Sequence, residues 1–147
     1  MRVFLVRHGE AEREEVDPER HLTDRGAEEV KRIATHAVEQ LGVRPPRIVH
    51  SGKARARQTA EIWAGLVGAG VAEADGLAPN DDPSLWATRL QGEGDDLMLV
   101  GHLPHLERLA GLLVTGDSEQ AVAGFPAGGM VGLERTDGVW EVSVVRP

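Results

Sequence analysis

Short runs of apolar residues alternate along this chain with longer segments in which apolar residues recur every three or four positions. A continuous apolar run is typical of a strand buried on both faces of a sheet, whereas the wider spacing is typical of an amphipathic helix. The runs predict strands at residues 3–6, 47–50, 71–74 and 97–100, of which the third has the weakest signal. The wider spacing predicts helices over 24–41, 52–67, 83–91 and 106–115, with a further short helix at 118–123.

Local signals mark the ends of several of these elements. Thr23 and Asp82 are residue types that cap helix N-termini, and Pro83 suits a first helical position. Asp137-Gly138 separates two more apolar segments, 130–134 and 139–145, and predicts a hairpin turn. The order of elements therefore predicts an α/β fold: a three-layer sandwich with a mainly parallel sheet, helices on both faces and a C-terminal antiparallel hairpin.

Composition narrows the possible classes of protein. A chain of 147 residues is most simply one domain, 1–147, and is long enough to bury its own core. It has no cysteine, which favours a reducing cytoplasm, and its apolar runs are too short for a signal peptide or a membrane span. A net charge of -8 and few aromatic residues argue against general nucleic-acid binding.

Two predicted strands end in a histidine. Arg7-His8-Gly9 follows the first strand, and Gly101-His102 follows the fourth. In open α/β sheets, ligands bind at the carboxyl ends of the strands, so His8 and His102 meet there if the two strands are neighbours. The alternatives are a strand that simply stops at a polar turn and, for His102, a histidine that caps the next helix.

The second helix brings positive charge to the same edge, because it also begins after a strand. Arg55 lies near its N-terminus, where free backbone N–H groups attract anions, and a guanidinium group matches phosphate oxygens with two parallel hydrogen bonds. Lys53 and Arg57 are expected to be solvated instead. A neutral imidazole can attack phosphorus while neighbouring cations stabilise the oxygens, so these residues predict a phosphate site that contains a nucleophile.

The same residues carry a resemblance to a known family. Arg7 to Ala11, Ser51 to Ala60 and Gly101-His102 resemble signature segments of the histidine phosphatase superfamily, which includes the cofactor-dependent phosphoglycerate mutases. The resemblance implies a phosphohistidine intermediate on His8, with Arg7, Arg55 and His102 completing the phosphate pocket.

Three further segments are similar to those of the small bacterial phosphohistidine phosphatases: Asp17 to Gly26, Gly101 to Leu106, and Phe125 to Gly129. Leu103 replaces the usual Asn and Ala127 the usual Thr, and both replacements are expected to alter contacts around the site. Larger members of the superfamily carry an inserted cap and a Glu that protonates the leaving group. This chain has no room for a cap domain, and Asp75, Asp81 and Asp82 are weak candidates for the acid.

The leading hypothesis is a metal-independent phosphatase that removes phosphate from phosphohistidine on proteins, because a protonated imidazole leaves far more easily than an alkoxide. The alternatives are a small-metabolite phosphomonoesterase or mutase of the same superfamily and a non-catalytic module that binds a phosphorylated residue. No cofactor is expected, and His102 with His105 is too weak a pattern for a zinc site. The expected partner is a phosphorylated protein or a small phosphate ester, with no nucleic acid or membrane and a monomer favoured.

Overall fold

A six-stranded sheet runs through the molecule between two pairs of helices. The computed structural model describes residues 1–146, so Pro147, the last residue of the predicted domain, lies outside the described residues. In chain order the elements are β1 (Arg2–Arg7), α1 (Asp24–Leu41), β2 (Arg47–His50), α2 (Ala54–Val67), β3 (Gly70–Glu73), α3 (Ser84–Gln91), β4 (Leu97–Gly101), α4 (His105–Thr115), β5 (Met130–Thr136) and β6 (Val139–Arg146).

The strands lie in the order β3-β2-β4-β1-β5-β6. The first four of these pair in parallel, and β5 runs antiparallel to both β1 and β6. This confirms the predicted three-layer α/β sandwich with its C-terminal hairpin, and residues 1–146 contain no additional domain. None of the helices in that range is long and apolar enough to cross a bilayer.

Alternate residues of the central strands supply two separate cores. Val3 and Leu5 of β1 pack with residues of α3 and α4, whereas Phe4 and Val6 pack with residues of α1 and α2. All four side chains are fully buried. Each large apolar side chain buried in this way contributes about 1.5–3 kcal/mol. The double burial explains why β1 appears in the sequence as a continuous apolar run.

The predicted caps and turns are largely confirmed. The Thr23 hydroxyl accepts a hydrogen bond from the Gly26 backbone N–H (2.8 Å) at the start of α1. Gly42 adopts a left-handed conformation (φ +65°) after α1, as Gly68 and Gly116 do after α2 and α4. Asp137 and Gly138 both have positive φ angles, which the twist of a tight hairpin requires.

Three predicted boundaries need small corrections. Helix α2 starts at Ala54, after Gly52 has turned the chain with φ +91°, and β3 lies one residue earlier than predicted. Helix α3 starts at Ser84 with Pro83 as its N-cap residue. The Asp82 carboxylate nevertheless accepts a hydrogen bond from the Ser84 N–H (2.9 Å), so it satisfies a helix N-terminus as expected.

The short helix predicted at 118–123 is wrong. Asp117 accepts hydrogen bonds from the backbone N–H groups of Glu119 and Gln120, which fixes a turn. The Gln120 carbonyl then crosses α4 so closely that a Cβ on Gly111 would lie 2.4 Å from its oxygen. From there the chain runs without regular structure to Phe125, whose side chain is buried against the α3 and α4 face.

The loop after β1 is held against the start of α1 by close backbone contact at Gly26, where a Cβ would lie 2.1 Å from the Glu10 carbonyl oxygen. We expect Gly26→Ala to lower the free energy of unfolding by about 1–3 kcal/mol, because the methyl group cannot fit without moving the loop. Gly65→Ala in α2 is the matched control: a Cβ there meets nothing within 4 Å, so it should raise stability by about 0.5–1 kcal/mol. Urea unfolding monitored by circular dichroism measures both, and equal stability of the two variants would contradict the contact.

Candidate active site

The pairing of β1 with β4 brings the two predicted histidines together. Arg7 lies opposite Gly101 in the parallel ladder, and the His8 backbone N–H donates to the Gly101 carbonyl at 3.0 Å. The strands therefore continue in register to the point where each ends. The imidazole rings of His8 and His102 lie with their centroids 5.0 Å apart and their planes inclined by 51°.

The His8 imidazole is oriented by its neighbour in the chain. Its Nδ1 lies 2.7 Å from the Gly9 carbonyl oxygen, which can only accept, so we assign the proton to Nδ1 and the lone pair to Nε2. Burial lowers the pKa of His8 to about 4, helped by the charges of Arg55, Arg7 and Arg20 and opposed by the Gly9 hydrogen bond. At neutral pH the ring is therefore uncharged, with its Nε2 unprotonated.

His102 is more deeply buried, with 1% of its surface exposed. Its Nε2 lies 2.6 Å from the Ser51 hydroxyl, which links the ends of β4 and β2. Burial lowers the pKa of His102 to about 3, with smaller contributions from His8 and Arg55. Ser51 was not among the predicted site residues, although it begins one of the signature segments, Ser51 to Ala60.

Arg7 and Arg55 supply two partly buried guanidinium groups. Two hydrogen bonds anchor Arg7. Its Nη1 donates to the Phe125 carbonyl (2.9 Å), and its backbone N–H donates to the Gly129 carbonyl (3.0 Å). The Nε atoms of Arg7 and Arg55 are buried and make no hydrogen bond within residues 1–146. Both groups lower the His8 pKa, so their charge reaches the imidazole. Together they offer N–H donors to an anion bound next to His8.

Arg20 is a third cation at this site, and the sequence analysis missed it. Its backbone has φ +53°, and its Nε donates to the Glu12 carbonyl at 2.9 Å. Its charge lowers the pKa of both His8 and Arg55, which places it at the same edge of the sheet. The available signal was its position in the Asp17 to Gly26 segment, in a surface loop rich in acidic residues.

Thr59 and Gln58 connect α2 to the loops that carry these groups. The Thr59 hydroxyl accepts from the Gly9 N–H (3.1 Å) and donates to the Arg55 carbonyl (2.8 Å). The Gln58 side-chain oxygen accepts from the Leu22 N–H (2.7 Å). One helical turn therefore positions both the segment after His8 and the loop that contains Arg20.

A comparison with known proteins agrees with this geometry. A sequence model of the histidine phosphatase superfamily (branch 1) matches residues 3–79, which is more than half of the chain. An uncharacterized protein of Picosynechococcus sp. is 35% identical over 126 residues, which cover 80% of this chain and 76% of that protein. The chain belongs to the histidine phosphatase superfamily. It is therefore an enzyme with phosphatase activity.

Solved structures share the fold of this histidine phosphatase over nearly its whole length. The protein histidine phosphatase SixA, complexed with tungstate, is 22% identical, with a TM-score of 0.85 and coverage of 99% of this chain and 96% of that one. A putative phosphohistidine phosphatase SixA from Agrobacterium tumefaciens is 29% identical, with a TM-score of 0.80 and coverage of 99% and 97%. A putative alpha-ribazole-5'-P phosphatase from Escherichia coli is 17% identical, with a TM-score of 0.78 and coverage of 100% and 96%.

The three candidate acids of this phosphatase are engaged elsewhere. Asp75 is paired with Arg89 (2.9 Å), and an Asp81 oxygen accepts from the Ala78 N–H (2.9 Å). The hydrogen bond from Ser84 lowers the pKa of Asp82, which favours the ionised carboxylate, a form with no proton to donate. Within residues 1–146 none of the three bonds to His8 or His102.

The four remaining histidines lie on different elements of the fold. His50 accepts from the Gly52 N–H (3.0 Å) and so fixes the turn before α2, while His21 contacts Asp17 and Glu19. His36 accepts from Arg146, and His105 is fully buried. In the part of the chain that the structure describes, no three His, Cys, Asp or Glu side chains are grouped to hold a metal ion.

The environment of His8 makes its titration a direct test of the site. We expect nuclear magnetic resonance of ring ¹⁵N nuclei to show the His8 Nδ1–H tautomer, with protonation centred near pH 4. Arg55→Met should raise that midpoint towards 6.5, because one repelling charge is removed. Arg32→Met, an exposed residue on α1, is the control and should leave it in place.

The lowered pKa values of His8 and His102 make the stability of the wild-type protein depend on pH. As the pH falls from about 6.5 towards 4, unfolded imidazoles take up protons that folded His8 and His102 exclude. The free energy of unfolding should therefore decrease over that window. A His8 midpoint near 6.5 in the wild type would contradict the assigned environment.

Proposed function

We propose that this enzyme is a phosphohistidine phosphatase that works through a covalent phosphohistidine on His8. The observation that carries the proposal is the unprotonated Nε2 of His8, held by the Gly9 hydrogen bond beside His102 and the charges of Arg7, Arg55 and Arg20. A neutral nucleophile surrounded by cations suits an anionic phosphoryl group, because the cations attract the substrate while the lone pair stays available.

In the first step, His8 Nε2 attacks phosphorus and forms a P–N bond as the bond from phosphorus to the leaving group breaks. Arg7, Arg55 and His102 contact the phosphoryl oxygens and stabilise the charge that they carry in the transition state. The electron pair of the broken bond departs with the leaving group. Phosphorylation makes the imidazole cationic, and the Gly9 carbonyl stabilises that form through its bond to Nδ1–H.

In the second step, water attacks the same phosphorus atom from the side of the departed group. The P–N bond breaks, its electron pair returns to His8 Nε2, and the proton lost by water is carried to solvent or to phosphate. His8 is regenerated neutral with its proton still on Nδ1. The Ser51 hydroxyl, 2.6 Å from His102 Nε2, positions that ring throughout and is a positioning residue.

The arrangement of the acids favours phosphohistidine as the substrate. An alkoxide needs a proton from a general acid, a contribution of about 10² to 10⁴ in rate, and Asp75, Asp81 and Asp82 are held in other contacts. A phosphorylated imidazole that is already protonated leaves without such help. The similarity to two structures described as protein histidine and phosphohistidine phosphatases supports the same choice.

A small phosphate ester is the second candidate substrate. The putative alpha-ribazole-5'-P phosphatase shares the fold, so the fold alone does not separate the two substrate classes. Membership of an enzyme superfamily favours both catalytic hypotheses over a non-catalytic binding module. We further propose that residues 1–147 act as one histidine phosphatase domain without a metal or other cofactor; the cytoplasmic location and the monomeric state stay predictions.

Turnover should depend steeply on the leaving group. We expect kcat/KM to fall by about 10²-fold or more from nitrophenyl phosphate to alkyl phosphates of high leaving-group pKa, because no carboxylate protonates the departing oxygen. A phosphohistidine peptide should be hydrolysed at least as fast as the best aryl ester. Phosphate release across this graded series measures both.

Two variants complete that experiment. Asp81→Asn and Asp82→Asn should reproduce the wild-type slope, since neither carboxyl takes part in the reaction. If kcat/KM of the wild type did not depend on leaving-group pKa, and came to depend on it steeply in either variant, the substituted carboxyl would be a general acid. The small-ester function would then be favoured, and poor turnover of the phosphohistidine peptide would lead to the same conclusion.

A further inference from the structure

A basic cleft of about 550 Å³ opens next to the candidate active site. It lies between the first turn of α2 and the loop after β1, and it shares Arg55 and Arg20 with the site. Lys53 and Arg57 complete its positive lining. Both were expected from the sequence to be solvated, and the structure places them in the lining of this cleft.

The charges of Lys53 and Arg57 are largely available. Both side chains are exposed, and in the described range of 1–146 no carboxylate lies within 4.0 Å of the Lys53 ammonium. Arg57 is 3.6 Å from Glu61, a surface pair of one helical turn that contributes little. Lys53 is also the N-cap residue of α2 and makes no side-chain cap bond, so the positive end of the helix dipole faces the same space.

The cleft is positive in spite of the net charge of -8 on the chain. Four cations line it, against Glu14 and Glu19 on the loop side. Glu19 is partly engaged, because its carboxylate lies 3.3 Å from His21 Nε2. A local reversal of charge next to a phosphate site attracts a substrate that carries negative charge beyond its phosphoryl group.

The position of the cations in the cleft indicates which groups of the substrate carry its additional negative charge. Lys53, the N-cap residue of α2, and Arg57, in the first turn of that helix, are both exposed and line the cleft beside Arg55. Because Arg7 and Arg55 are assigned to the phosphoryl group, these two further cations in the cleft suit separate carboxylates along a polypeptide. We propose that this cleft binds acidic side chains flanking the phosphorylated residue of a protein substrate, an inference that rests on the proposed function and names its sequence preference.

The test uses two peptides that carry a stable phosphonate analogue of phosphohistidine, one flanked by aspartates and the other by asparagines at the same positions. Each is measured as a competitive inhibitor of nitrophenyl phosphate hydrolysis by the full chain at low ionic strength. We expect the aspartate peptide to bind wild-type enzyme about fivefold more tightly, a ratio typical of two exposed ion pairs. Salt at about 0.5 M should reduce the ratio, because it screens exposed charges.

Variants that remove charge inside and outside the cleft separate binding by the cleft from the effect of overall charge. Lys53→Met combined with Arg57→Met should bring the inhibition ratio of the two peptides close to one, and Lys53→Glu should reverse it. Lys31→Met combined with Arg32→Met, on the outer face of α1, removes the same number of charges elsewhere and should retain the fivefold ratio. Equal inhibition of the wild type by both peptides, or a ratio that survives in the double variant, would overturn the proposal.

This readout does not require turnover of phosphohistidine, because the inhibitors are not hydrolysed and inhibition is followed on nitrophenyl phosphate. A wild-type enzyme that prefers the aspartate peptide yet releases no phosphate from phosphohistidine supports the cleft and refutes the substrate class. An enzyme that hydrolyses phosphohistidine without distinguishing the two peptides supports the substrate class and refutes the role of the cleft.

Discussion

The hydrogen bond from the His8 N–H to the Gly101 carbonyl is the contact on which the rest of the site depends. It extends the parallel pairing of β1 and β4 past Arg7 and Gly101. His8 and His102 therefore follow the two strands side by side at the same edge of the sheet. A shift of one residue in this register would turn every side chain of β1 to the opposite face. The two cores on either side of the sheet, which bury alternate residues of β1, therefore also fix the distance between His8 and His102.

Charge and burial act together on the paired imidazoles. Burial keeps both rings neutral at pH 7, and the surrounding guanidinium groups reinforce that state by repelling a proton. The same guanidinium groups attract a phosphoryl anion, which in turn stabilises the positive charge that His8 acquires on phosphorylation. The site therefore favours a neutral imidazole when empty and a cationic one when phosphorylated, which is the cycle that the proposed chemistry needs.

The parts of this arrangement that the sequence predicted are those encoded locally. The apolar runs, the glycine stops and the Thr23 cap identified the elements, and the strand ends identified His8 and His102. Arg20 was not predicted, because its position depends on how an irregular loop folds back over α2. One contact that holds this loop is the hydrogen bond from the Leu22 N–H to the Gln58 side-chain oxygen. The false helix at 118–123 has a related cause: the close approach of Gln120 to Gly111 of α4 is a tertiary contact that helical propensity does not register.

The central claim is that His8 becomes phosphorylated during turnover, and trapping the intermediate tests it most directly. Wild-type enzyme is mixed with ³²P-labelled aryl phosphate, quenched in alkali within milliseconds and digested for mass spectrometry. The account predicts an alkali-stable, acid-labile label on the peptide that contains His8, and no label there in His8→Ala. A label on another residue, or turnover in His8→Ala at the wild-type rate, would contradict it.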